Sequence, residues 1–222
     1  MPGRHLAGRH SPSLLIFLSF SAALASCAGH SSVKLPQTAT STASTFAAPT
    51  AAPDTTRVRY PWPMKQRQNP FGGTSWVPGI DEVYGELEQD FLAYWTWSGQ
   101  DGPASFPFSP DPNQIATLAT PDFSDQLHAY IDQIRASGQV IAYRAAQNLP
   151  PNQALQACTQ DGLQCESYYT FSSTTQTVYN AQTGQILSQQ ALVEIILLVT
   201  QSYNKEVQRW QLSNLQSQAI TG

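Results

Sequence analysis

From Gln185 to Leu215 the chain reads as two β-type runs divided by Asn204 and Lys205, and the first run contains ALVEIILLV, the most apolar strand in the sequence. A strand this apolar must be covered on at least one face, so the chain has to build a sheet with a packed side. Earlier runs at Gln139–Gln147 and Glu166–Tyr179 have the same character. The predicted strands are therefore Gln139–Gln147, Glu166–Tyr179, Gln185–Tyr203 and Glu206–Leu215, with Asn180–Gly184 as a five-residue hairpin loop and Asn204–Lys205 as a tight turn.

Helical patterns precede these strands. Val83, Leu87, Phe91, Tyr94 and Trp95 recur at helical spacing, with Asp81, Glu82 and Glu86 in the first turns, where the helix dipole favours carboxylates. Gly99 and Gly102 end this helix. Asp111 can cap a turn opened by Pro112, and Thr120 with Pro121 repeats that grammar. Phe123, Leu127, Tyr130, Ile131 and Ile134 then share one stripe, and Gly138 stands where a left-handed C-terminal residue belongs. Ahead of the first helix, Tyr60–Gly79 interleaves aromatics with Pro and Gly and reads as an extended arm. Helices followed by a meander predict an α+β domain, with N-terminal helices packed on one face of an antiparallel sheet of about four strands.

Over Ile80–Ser217 this order resembles the nuclear transport factor two-like family. The best local match is the closing hairpin, LVEIILLVTQSY returning as EVQRWQLSNLQ, with Trp210 placed like the aromatic of that family's last strand. The resemblance implies helices filling the concavity of a bent sheet, with either a ligand pocket or dimerisation through the open sheet face. Cystatin-like domains share nearly the same string of elements.

The N-terminus is of another kind. Arg4, His5, Arg9 and His10 precede an apolar centre from Leu14 to Leu24, which is too short to span a bilayer. Leu24, Ala25, Ser26 and Cys27 resemble the lipobox of bacterial lipoproteins. That resemblance implies removal of residues 1–26 as a signal peptide, acylation of Cys27 and residence on the extracytoplasmic face of the cell membrane. The alternative is an ordinary secretory signal cut near Ala25, with Cys27 a chance thiol. Residues 27–58 then form a Ser/Thr/Ala/Pro-rich stalk with too little apolar surface to offset its ordering entropy, and residues 59–222 form the domain. Thirty such residues reach on the order of 30 Å.

Only 12% of residues are charged. Losing Arg4 and Arg9 with the signal reduces 11 basic residues to 9 against 15 acidic, a net charge of −6. Nucleic acid is excluded as a partner, because binding phosphates requires clustered Lys and Arg. The expected partners are the membrane, through the lipid, with cell-envelope proteins or glycans, and a second copy of the chain.

Cys158 and Cys165 enclose TQDGLQ, whose Asp161–Gly162 turn brings the thiols together, and a disulfide is the simplest account. Closing this loop contributes about 2.5 kcal/mol in the chain-entropy model. Zinc would need further ligands that the segment lacks, and no metal or cofactor is expected.

Two residues could carry acid–base chemistry. His128, with Asp125, Asp132 and Arg135 nearby in sequence, reads as a solvated charge partner on the wet flank of its helix. Glu194 interrupts the apolar strand, and strict alternation places it with Leu192, Ile196 and Leu198, opposite Val193, Ile195, Leu197 and Val199. If that face lines the interior, burial would raise its pKa and make it a general base, with Tyr143 or Tyr169 as hydrogen-bond donor and Trp210 in the same pocket. If it faces water, it is an ordinary surface charge. A third possibility is a stacking surface for a glycan or a hydrophobic ligand built from Trp95, Trp97, Phe106, Phe108, Tyr168, Tyr169 and Trp210, with Trp97 and Phe106–Phe108 the aromatics expected to be exposed and most of the others used in core packing. The sequence has no phosphate-binding Gly loop, GxSxG, HExxH or paired CxxC. It points to a tethered binding or scaffold module, with a small isomerase- or dehydratase-like pocket enzyme, or a glycan-binding module, as the alternatives.

Overall fold

The computed structural model describes residues 56–68, 72–145 and 152–221. In chain order the elements are β1 (Met64–Gln68), β2 (Thr74–Pro78), α1 (Glu82–Trp97), a 3₁₀ turn (Pro112–Gln114), α2 (Ile115–Leu118), α3 (Pro121–Ser137), β3 (Gln139–Ala145), β4 (Asn152–Cys158), β5 (Gln164–Asn180), β6 (Ile186–Asn204) and β7 (Arg209–Ile220). The fold class is α+β, as expected. Its antiparallel sheet has seven strands in place of about four, in the order β1-β2-β4-β5-β6-β7, with β3 also paired to β5. The three extra strands, β1, β2 and β4, come from the aromatic arm and from a polar stretch without alternation. Cys27 and most of residues 27–58 lie outside the described residues.

The helix signals correspond to real caps. Asp111 Oδ1 accepts from the Asn113 N–H ahead of the Pro112 turn, and Gly138 closes α3 with φ +65°. Thr120 precedes α3 as expected, but its backbone carbonyl rather than its hydroxyl meets the first turn, accepting from the Phe123 and Ser124 N–H groups. The last hairpin turns over Lys205–Gln208 rather than over two residues, with Gln208 at φ +53°.

The geometry of the sheet is set by β5 and β6. One side of β5 pairs with β4 through Cys165–Thr170 and with β3 through Thr174–Asn180, and Ser173 lies between the two partners with φ +52°. Burial shifts phase there: Ser167, Tyr169 and Phe171 are buried, and the next buried residue is Thr174. The same shift occurs across the ladder, where Val199, Leu197 and Ile195 are buried and Leu192 follows. Ser172↔Glu194 and Thr174↔Leu192 stay paired, so both strands turn together without slipping register. The strict-alternation reading therefore needs correcting: Leu192 points inward with Ile195, and Val193 points outward, because the bend moves each to the other face.

Two clusters fill the concave side. In one, Phe91 stacks on Tyr169 and Trp95 on Phe171, with ring centroids 3.9 Å and 4.8 Å apart, and α2 and α3 close over them. In the other, Trp62 from the arm packs against Tyr203 and Trp210 beside the Cys158–Cys165 disulfide. Arg57 ties the arm down. It is only 7% exposed, and both of its terminal nitrogens donate to Asp90, which is 4% exposed, at 2.6 Å. Asp90 also accepts from the Trp210 N–H at 2.9 Å, and Glu86 accepts from the Val58 N–H. Arg57 and Val58, which composition assigns to the stalk, are thus held by the domain.

A non-glycine residue at positive φ is strained, and a β-branched one more so. Ser173→Val is expected to lower stability by about 1–2 kcal/mol, whereas Ser173→Asn, which tolerates this conformation, leaves it within about 0.5 kcal/mol. Urea denaturation followed by circular dichroism measures both.

Candidate functional site

The outer flank of α1 and the segment 103–111 enclose a groove of about 640 Å³. Leu92, Ala93, Thr96 and Trp97 form the helix side, and Pro107, Phe108 and Pro110 the opposite wall, with Gln89, Gln114 and Asp111 as polar lining. Among the described residues Asp111 is the only charged one lining it, so the groove suits a ligand without net negative charge.

The wall is positioned by contacts that only glycine allows. A Cβ at Gly184 (φ +75°) would lie 2.6 Å from the Phe106 ring, and one at Gly99 (φ +72°) 2.6 Å from the Phe108 ring. The Phe108 N–H donates to the Ala181 carbonyl at 2.7 Å, linking the segment to the β5–β6 turn. From the other side, Trp97 Nε1–H donates to the Asp111 carbonyl at 2.9 Å. Trp97 was expected to be exposed. It is 7% exposed, because the Pro-rich segment folds back over its ring and satisfies its N–H.

None of the four residues proposed for a pocket lines this groove, and the fold does not bring them together. Glu194 is half-buried on the face away from the helices, at the bend, between Ser172 on β5 and Ile220 on β7. Tyr169 is fully buried against Phe91, where desolvation pushes its phenol pKa well up. Tyr143 is half-buried beside Trp95, its pKa also raised by burial, and Trp210 belongs to the second cluster. The aromatic platform does not form either. Phe106 and Phe108 are half-buried over glycines, and Tyr168 lies on the sheet face opposite its buried neighbour Tyr169. His128 is exposed on α3, and the Asp132–Arg135 pair at 3.3 Å lies one turn further on.

The two domain cysteines are joined and stand directly opposite each other on β4 and β5. The turn between them is held by Asp161, which accepts from the Thr159 hydroxyl at 2.6 Å and the Leu163 N–H at 3.1 Å. Those bonds, chiefly the Thr159 one, hold its carboxyl below the usual range. Among the described residues, no three His, Cys, Asp or Glu side chains gather as metal ligands would, and no helix is long and apolar enough to cross a membrane.

The sequence reading missed the Arg57–Asp90–Glu86 cluster. Its signal was available: Glu86 and Asp90 lie four residues apart within the apolar stripe of α1, where a carboxylate needs a buried partner.

No family model matches this chain, and no curated protein does. Among solved structures, the intermembrane space region of the chloroplast protein ARC6 is similar over 65% of this chain and 100% of its own, at 10% identity and a TM-score of 0.42. CagV, a VirB8 homolog of the T4SS from Helicobacter pylori strain 26695, is similar over 61% of this chain and 100% of its own, at 9% identity and a TM-score of 0.39. Likeness at this level carries no functional inference.

Gly184→Ala is expected to unseat Phe106 and loosen the groove wall. Limited proteolysis should cut within 103–111 at least about tenfold faster than in the wild type, while the global unfolding midpoint falls by about 1–2 kcal/mol equivalent.

Proposed function

We propose that the chain is a non-catalytic binding or scaffold module of the cell envelope, held on the extracytoplasmic face of the membrane by acyl groups on Cys27. The observation that carries the reading is LASC at Leu24–Cys27, behind a short apolar segment and ahead of about 30 residues of stalk. Thiol chemistry supports it: Cys158 and Cys165 form a disulfide, a bond that persists in oxidising compartments. The domain is read as nuclear transport factor two-like, a reading supported by helices on the concave side of a bent antiparallel sheet.

The binding reading is favoured over a pocket enzyme because the groove beside α1 is lined by neutral polar and apolar side chains, with a single carboxylate, Asp111. General acid–base work requires a titratable group in contact with the substrate. Glu194, the residue best suited to it, sits on the opposite face of the sheet from Tyr169, so the two cannot share a substrate.

Two acyl chains hold stably where one exchanges. Membrane fractionation with mass spectrometry of the mature N-terminus tests the tether. The wild type should partition with membranes and begin at a diacylglyceryl Cys27, and Cys27→Ala should leave the membrane fraction. A Cys27→Ala chain that stays equally membrane-bound would contradict the proposal.

A further inference from the structure

The far side of β6 pairs with β7 from Asn204 to Glu194, where β7 ends opposite it at Ile220. From Ile186 to Val193 that side has no strand partner among the described residues. This open edge reads ILSQQALV, with no Lys, Arg, Asp, Glu or Pro. Natural sheets blunt such edges with charge, proline, bulges or shortness, as β1 does at the other end of this sheet with the exposed Lys65 and Arg67. Here the one such device is the register shift that leaves Leu187 out of the pairing with β5, and Ile186 is 50%, Leu187 45% and Val193 55% exposed. The far side of β7 beyond Leu212 also has no strand partner among the described residues, but it displays Asn214, Gln216, Ser217 and Gln218 to water.

We propose that Ile186–Leu192 is a self-association edge, on which a second copy of this chain lays its own β6 antiparallel about a two-fold axis through Gln189. Residues opposed in an antiparallel ladder either both turn their N–H and C=O across the gap or both turn them away, so neighbours i and i+1 never oppose each other and a two-fold axis must pass through a residue facing its own counterpart. An axis at Gln190 would carry the ladder on to Val193, directly beside the place where β7 ends opposite Glu194 at Ile220. An axis at Ser188 would shorten the paired segment to Ile186–Gln190. At Gln189 Ser188 meets Gln190 on both sides of the axis, and Ile186 and Leu187, where the β5–β6 register shifts, lie beside Leu192 and Ala191.

Charge supports a second copy as the occupant. Two copies of an acidic chain repel, and this segment brings no charge opposite another when it pairs with itself. The pairing also closes, since each copy uses the same edge. Seven residues of edge fall well short of the roughly 1,600 Å² of a standard interface, so the dimer forms in the micromolar range. The inference needs neither the lipid nor the groove, and its failure would leave both standing.

Sedimentation velocity on the full chain carrying Cys27→Ala, over about 1–100 μM, reads the association. The expected result is a dimer that grows with concentration. The double variant Ile186→Lys/Leu187→Lys should weaken it at least about tenfold with an unchanged far-ultraviolet spectrum. Gln189→Cys should cross-link to itself with a short bismaleimide, and Gln216→Cys on β7 should not. A chain that stays monomeric over the whole range, a dimer indifferent to the lysines, or a Gln189→Cys variant that does not cross-link would each overturn the proposal.

Discussion

The Asp90 carboxylate holds three parts of the chain at once. It lies on α1, accepts both terminal nitrogens of Arg57 from the arm, and accepts the Trp210 N–H from β7. Ions in a dry interior are tolerated only when the geometry satisfies them, and removing one partner leaves the other charged and uncompensated. The arm therefore cannot lift away without exposing Asp90 to an unpaired state. Trp62, five residues further on, packs on Tyr203 and Trp210 and adds an apolar contact to the same junction. Arg57 thereby links the arm to both α1 and β7.

The bend at Ser173 accounts for most of what else distinguishes the molecule. By turning β5 and β6 together it lets β4 and β3 share one side of β5, and it wraps the sheet round the stacked Phe91–Tyr169 and Trp95–Phe171 pairs. Because β7 follows β6 only as far as Glu194, the distal part of β6 is left as an edge. The aromatic rings occupy the concavity that a ligand would otherwise enter, and the groove lies outside α1, built by a segment anchored on the β5–β6 turn. Binding and self-association would thus use separate surfaces of the domain.

Punctuation made the helices legible. Asp111–Pro112, Thr120–Pro121 and Gly138 fall at real boundaries because capping is a local matter of backbone groups left unpaired. The long apolar strands were legible because burying a face imposes a pattern. β1 was not, since MKQRQ is exposed or half-exposed throughout and leaves no alternation to detect. β4 is defined by its pairing with β5, including an irregularity between Leu155 and Ala157, rather than by its own composition. Glu194 was read in the correct phase for its own half of the strand, but periodicity within one strand cannot show a bend shared by two. Arg57 was hidden by its Ser/Thr/Pro-rich surroundings, because its partner lies 33 residues away. Trp97 was misjudged because its cover comes from a loop with no periodicity at all.

The central claim is that the buried Arg57–Asp90 pair binds the arm to the folded body. A double-mutant cycle in urea on Arg57→Ala, Asp90→Ala and the double variant tests it most directly. Each single change should cost about 3–5 kcal/mol, with a coupling of about 2–3 kcal/mol, so that the double variant loses far less than the sum. Additive losses, or single losses below about 0.5 kcal/mol, would show that the arm is held by something else.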